Sequence, residues 1–196
     1  SEVLEIHRMK TAPAFQVALE LGAIFAGADA ATLQSLAEYS HALGAAYQIH
    51  DDLADHDRPL KKRGEQAATL MGELIRRHSL TPQRILSSTA RRALDTAKLV
   101  AEASHYEGRV IATRTLYGAD PDDFVEVLRQ LDDADELVMI VGHNPDLEML
   151  LESLTGAMES LPTAALAQVS LPIDSWKELK EDTPGKLVHF WAPSTL

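Results

Sequence analysis

Cysteine is absent from this 196-residue chain. Disulfides, thiolate metal sites and cysteine nucleophiles are therefore excluded. Also missing is any apolar run approaching the ~20 residues that a membrane helix needs. The longest candidate, residues 18–31, is interrupted by Glu20 and Asp29. No basic start followed by a short apolar stretch opens the sequence, so no secretory signal is expected and the expected compartment is the cytoplasm. Positive charge is scarce: 18 Lys and Arg stand against 30 Asp and Glu, a net charge of −12. Phosphate backbones select basic surfaces, so no nucleic-acid partner is expected. That balance still leaves room for a small basic pocket holding one phosphate. Against these absences, 45% apolar and 24% charged residues describe an ordinary globular protein long enough to bury a core.

Charge and texture change together along the chain. Residues 1–57 hold two cations and nine anions, a net −7, whereas residues 58–196 carry −5. The first part is Ala- and Leu-rich with little strand signal. Beyond a boundary near Asp55 to Pro59, short β-branched runs alternate with amphipathic stretches. Helices are expected over residues 1–10, 11–25 and 31–53, the last with a broad apolar face that includes Leu33, Leu36, Tyr39, Ala42, Leu43 and Ala46. In the second part, helices are expected over residues 61–77, 90–104, 121–131 and 146–155. Strands are expected over 84–87, 110–115, 137–141, 165–171 and 186–191. The run Leu137 to Val141 is wholly apolar and reads as buried on both faces. Such alternation predicts a largely parallel sheet covered on both faces.

Two strand ends carry the polar residues of interest. In Leu86-Ser87-Ser88-Thr89-Ala90-Arg91-Arg92-Ala93, a strand ends in small hydroxyl residues and a helix opens with two arginines. Helix N-termini and arginine forks both favour phosphate. In Met139-Ile140-Val141-Gly142-His143-Asn144-Pro145, an apolar strand delivers a histidine at its carboxyl end, where open α/β sheets place ligands. More ordinary roles are a turn cap for His143 and a surface helix position for Arg92. Asp120, Asp122 and Asp123 suit a helix N-terminus. Lys61, Lys62 and Arg63 suit a solvated basic turn, with steering of an anion as the alternative. Trp176 and Trp191 suit packing.

These segments, with Asp57-Arg58-Pro59-Leu60-Lys61-Lys62-Arg63-Gly64, Thr96-Ala97 and Pro162-Thr163-Ala164-Ala165, resemble the histidine phosphatase superfamily, and within it the SixA-like phosphohistidine phosphatases. The resemblance implies a phosphoglycerate-mutase-like fold, α/β with a mostly parallel sheet and helices on both faces, over residues 56–196. It implies that Arg92 binds a phosphoryl group and that His143 hydrogen-bonds it and stabilises the transition state. It also implies a phosphorylated protein or small phosphorylated molecule as substrate, with no cofactor. The family opens, however, with a central strand ending in Arg-His-Gly or Arg-His-Ala, whose histidine is the nucleophile. That strand is absent here. We expect its place to be between the strands led by Arg84 and Leu137, and we expect turnover to be weak or absent. Arg77-His78 sits at a helix end, His7-Arg8 has the reverse order, and His50 and His56 flank the junction.

A second constellation lies in the all-α segment, residues 1–55. Asp51, Asp52 and Asp55 form Asp-Asp-x-x-Asp on a helix, where spacing places Asp51 and Asp55 on one face. Clustered carboxylates can hold Mg²⁺ bridging to a diphosphate, and Lys10 stands upstream in His7-Arg8-Met9-Lys10-Thr11. With Gln48, these residues resemble the C-terminal half of trans-polyprenyl diphosphate synthases. That resemblance implies Mg²⁺ at Asp51, Asp52 and Asp55, diphosphate at Lys10, and prenyl transfer as the parent activity. The family's first aspartate-rich motif is missing. A catalytically silent phosphate-binding or interaction module is the third expectation. Loss of a sheet strand would expose backbone ladders and apolar surface. We therefore expect the N-terminal helices either to cover the α/β core or to mediate a homodimer.

Overall fold

The structure is a computed structural model describing residues 16–21 and 23–195, with only the backbone of residues 44–45 and 47–53. The expected first helix and Lys10 lie outside the described residues. The chain divides into two compact units, Ser1–Asp57 and Arg58–Leu196.

In the first unit, residues 16–21 and 23–25 are helical. Gly27, at φ 74°, adopts the left-handed conformation that ends this helix. Its N–H donates to Ile24 O, and the Ala28 N–H reaches back to Ala23 O, which satisfies the last carbonyls. Helix α1, Ala30–His56, follows. Asp29 caps it by accepting the Thr32 N–H at 2.8 Å, and the Thr32 hydroxyl, followed by this N–H, holds the Asp29 carboxyl below its ordinary range. The broad apolar face expected here is narrower than anticipated. Leu33, Leu36 and Leu43 are half-buried around the buried Ser40, while Tyr39, Ala42 and Ala46 are exposed.

The second unit is α/β. Helix α2, Lys62–Arg77, buries Ala68, Met71, Leu74 and Ile75 at helical spacing. Its Gly72 lies in close contact with helix α3, Arg91–Ala103. A β-carbon added at Gly72 would stand 2.6 Å from Ala103 Cβ and 2.7 Å from Val100 O. Strand β1, Arg84–Ser88, lies centrally in a three-stranded parallel sheet. Strands β2, Val110–Thr113, and β3, Val138–Val141, pair with it on either side. β2 ends earlier than expected because Thr113 Oγ1 accepts the Thr115 N–H and starts a short 3-10 turn.

Helix α4, Pro121–Leu128, starts with reciprocal bonds between Asp120 and Asp123, the N-terminal role expected for these acids. Helix α5, Asp146–Thr155, is ended by Gly156 at φ 68°. Strands β4, Leu166–Ser170, and β5, Lys186–Trp191, form a separate antiparallel pair with an irregularity between Gln168 and Val169. The core gathers Leu86, Leu116, Phe124, Leu150, Leu154 and Leu179 between the sheet and helices α4 and α5. At the opposite end of β1, Arg84 donates to Asp135 at 2.9 Å and Trp176 Nε1 donates to Asp135 O at 2.9 Å. Trp176 thus packs, as expected, and also fixes this edge.

Two expectations about the sheet need correction. The strands beginning at Arg84 and Val138 are hydrogen-bonded neighbours, so no strand position lies between them. The discontinuity falls instead between β3 and β4, each of which is paired on one side only among the described residues. In consequence the all-apolar β3 is not buried on both faces. Each of its four residues is only half-buried.

Candidate functional site

The site grows from the carboxyl ends of β1 and β3. Their parallel register sets Ser87 opposite Val141, so the residues that follow, Ser88 and Gly142-His143, emerge at the same sheet edge. Ser88 is fully buried. Its Oγ accepts the Ala90 N–H at 3.3 Å and lies 3.0 Å from His143 Nε2. Ser87 Oγ donates to Ser88 O at 2.9 Å. This small hydroxyl pair turns the chain tightly into α3 and fixes the imidazole ring.

Helix α3 starts one residue later, and its two opening arginines diverge. Arg91 is exposed and pairs with Asp95 at 3.8 Å along the helix. Arg92 is half-buried and lines a cavity of about 690 Å³ together with His143. Arg58, Lys61 and Arg63 line the same cavity, and no Asp or Glu does among the described residues. The basic turn is thus exposed, as expected, and also borders the cavity. In a chain of net charge −12, this local excess of cations gives the cavity a lining whose charge suits an anion.

Neighbouring elements hold the histidine in place. The Tyr117 ring meets His143 edge-on, with centroids 5.5 Å apart, and the Arg114 guanidinium lies 4.7 Å over the Tyr117 ring. Asp146, at the start of α5, accepts the backbone N–H groups of Gly118 and Ala119 and its own N–H. Burial pushes its carboxyl above the ordinary range despite these bonds. The Asn144–Pro145 peptide bond is cis. Asn144 Nδ2 donates to Glu148 Oε1 and to Leu161 O, while the Leu161 N–H donates to the same carboxylate at 2.6 Å. Glu148 therefore ties the segment before β4 to the loop carrying His143.

Arg92 and His143 border one cavity, but the other expected site residues are not seen there. Lys10 lies outside the described residues. Asp51, Asp52 and Asp55 stand in the last two turns of α1, in the first unit, and the side chains of Asp51 and Asp52 lie outside the described residues. Asp55 is half-buried. No group of three metal-ligating side chains is found among the described residues. Of the other histidines, His7 and the side chain of His50 lie outside the described residues. His56 stands 3.4 Å from Asp57. His78 caps the end of α2 with its ring 5.6 Å from Trp191. His143 is the one imidazole lining the cavity among the described residues. Sequence reasoning missed the roles of Ser88, Tyr117, Asp146 and Glu148. Only the first had a signal: once β1 and β3 are neighbours, the ends of their motifs must touch.

Comparison with known proteins relates the two parts of the chain to different proteins, the first match running past Asp57 into α2. The polyprenyl synthetase family model matches residues 1–70. A farnesyl diphosphate synthase of Geobacillus stearothermophilus is 40% identical over 65 residues, but the match covers only 22% of that enzyme. An uncharacterized protein of Mycobacterium leprae is 31% identical over 153 residues, covering 73% of this chain and 91% of that protein. A Mycobacterium tuberculosis protein is 33% identical over 159 residues, covering 94% of its length. Among solved structures, a putative phosphohistidine phosphatase SixA from Agrobacterium tumefaciens is 26% identical with a TM-score of 0.58, covering 71% of this chain and 86% of that one. The protein histidine phosphatase SixA complexed with tungstate, 21% identical, shares the fold with a TM-score of 0.62 over 72% of this chain and 88% of its own. The chain thus belongs to one family with these uncharacterized mycobacterial proteins, its α/β fold is similar to that of SixA phosphohistidine phosphatases over 71% of the chain, and residues 1–70 match the polyprenyl synthetase family.

Proposed function

We propose that the α/β unit binds the phosphoryl group of a phosphorylated protein or small phosphorylated molecule at Arg92 and His143, with feeble or no hydrolysis. The observation carrying this reading is the placement of both residues on one cation-lined cavity, with His143 held by Ser88 at 3.0 Å. A guanidinium fork and an imidazole N–H are the donors that phosphoryl oxygens accept best. Arg92 stands in the first turn of α3 and His143 in the connection after β3, each just beyond a rigid strand, so little reorganisation is needed when the anion enters. Hydrolysis through a phosphorylated enzyme needs a second imidazole as nucleophile, and the described lining of the cavity supplies only His143. Arg58, Lys61 and Arg63 favour a substrate whose negative charge extends beyond one phosphoryl group.

Thermal unfolding with and without phosphate tests this reading, alongside assays of turnover and of acid-labile phosphate on the protein. The expected result is stabilisation that grows with phosphate concentration, is lost in His143→Ala, and is accompanied by little turnover. Robust hydrolysis that survives His143→Ala would overturn the assignment.

A second reading rests on the 65-residue likeness to farnesyl diphosphate synthase. Asp51, Asp52 and Asp55 hold Mg²⁺ and through it a diphosphate. Calorimetry with Mg²⁺ and pyrophosphate tests it. Heat that disappears in Asp51→Asn supports it, and no heat removes it.

A further inference from the structure

Asp146 opens helix α5 and is buried, although it does not line the anion cavity. Its carboxylate accepts the N–H groups of Gly118 and Ala119 in addition to its own. Those partners lie in the turn between β2 and α4, where Gly118, at φ 66°, takes the left-handed conformation. The residue just before this glycine is Tyr117, whose ring meets His143 edge-on with centroids 5.5 Å apart. On the other side, the Leu147 N–H donates to His143 O at 2.9 Å and the Met149 N–H donates to Pro145 O at 3.0 Å. The stretch that carries both His143 and Asp146 is therefore a closed turn running into α5.

From this chain of contacts we infer that Asp146 is a positioning residue for the anion site, holding the Tyr117 ring against His143 by clamping the 117–119 turn to the start of α5. The inference rests on the reading of His143 as a phosphoryl ligand. Capping α5 does not by itself explain the residue. Two of its three bonds go to a turn outside the helix, and a buried carboxylate is costly where a neutral acceptor would serve a helix end. What the carboxylate adds is a strong bond to each of two successive N–H groups, which fixes the direction of the residue before them. An edge-on aromatic contact depends on ring direction, so drift of this turn loosens the Tyr117 contact. The 3.0 Å contact with Ser88 Oγ fixes one nitrogen of the imidazole, and the Tyr117 ring sets the plane about that point.

NMR of the imidazole groups in the full chain, free of phosphate, reads the ring directly. The His143 signals are those lost in His143→Ala, and Tyr117→Leu supplies their position without the aromatic neighbour. In Asp146→Asn, which keeps the size of the side chain, they should move most of the way toward that position. Asp146→Ser, a smaller neutral replacement, should do the same, and circular dichroism confirms that each variant is folded. Gly156→Ala strains the far end of the same helix and should lower stability without moving the His143 signals. Phosphate affinity measured by calorimetry should fall about fivefold in Asp146→Asn. The double variant with Tyr117→Leu should lose no more than Tyr117→Leu alone, because the two residues act in series. Two results would overturn the inference: His143 signals that stay at their native positions in both Asp146 variants, and losses of affinity that add in the double variant. A native chain that binds no phosphate would instead remove the phosphoryl reading, while the ring signals still decide whether Asp146 sets the imidazole.

Discussion

His143 Nε2 stands 3.0 Å from Ser88 Oγ, a contact joining the ends of two adjacent parallel strands. It orients the imidazole before any anion arrives. Ser88→Ala removes the contact at a fully buried position where a methyl group fits. A single hydrogen bond of this kind is worth about 1 kcal/mol, so phosphate affinity should fall about fivefold with the fold intact. Titration of the variant followed by circular dichroism checks both halves of that statement, and unchanged affinity would show that the ring needs no such support.

Arg92 contributes a charged fork where Arg91 contributes a surface ion pair. Arg92→Ala should weaken phosphate binding by more than about tenfold, the range for hydrogen bonds to charged groups. Arg92→Lys should be intermediate, because charge remains while bidentate geometry is lost. Arg91→Ala should leave affinity near that of the native chain. Equal effects of the Arg91 and Arg92 substitutions would contradict the placement of the second arginine at the cavity.

Much of this arrangement was legible in the residues. The alternation of apolar runs with amphipathic stretches located α2 to α5 and all five strands within a few residues, because period alone separates the two kinds of element. The strand-end motifs holding Arg92 and His143 were legible from their small and turn-forming residues, the resemblance to histidine phosphatases singled out these two side chains, and the structure brings both to one cavity. Strand order was not legible. The reading placed a gap between the strands beginning at Arg84 and Val138, yet these pair directly, and the open edges belong to β3 and β4. Neighbour relations in a parallel sheet arise from long-range packing, which leaves no local signature. For the same reason Val138–Val141 reads as buried on both faces while every one of its residues is half-exposed. The roles of Asp146 and Glu148 rest on bonds to backbone groups of distant loops, which side-chain patterns do not encode.

At Gly72, α2 lies close against α3. In Gly72→Ala the new methyl group would meet Ala103 Cβ at 2.6 Å and Val100 O at 2.7 Å, and the backbone oxygen cannot swing aside as a side chain could. The helices must separate, at a cost of about 1–3 kcal/mol. Urea unfolding should show the midpoint falling by a corresponding amount. A stabilised variant, as expected from helix propensity alone, would contradict the close approach.

Asp146 has its carboxyl pKa raised above 3.8 because burial disfavours the ionised form. The folded state therefore holds this proton more tightly than the unfolded chain. Its favourable contribution is complete below the unfolded value and is lost as pH rises through the raised folded value. Replacing it with a neutral isostere removes that dependence. Stability of Asp146→Asn relative to the native chain should therefore improve between about pH 4 and pH 7. Unfolding curves collected across that range test the sign, and a relative loss on raising the pH would contradict it.

The central claim is that His143 and Arg92 form one oxyanion site on the α/β unit. Calorimetric titration of the full chain with tungstate, a phosphate-like oxyanion, tests it most directly when the native protein is compared with His143→Ala. The account predicts one site per chain, weakened about tenfold or more by the substitution. Equal binding by both proteins, or no binding by the native chain, would contradict it.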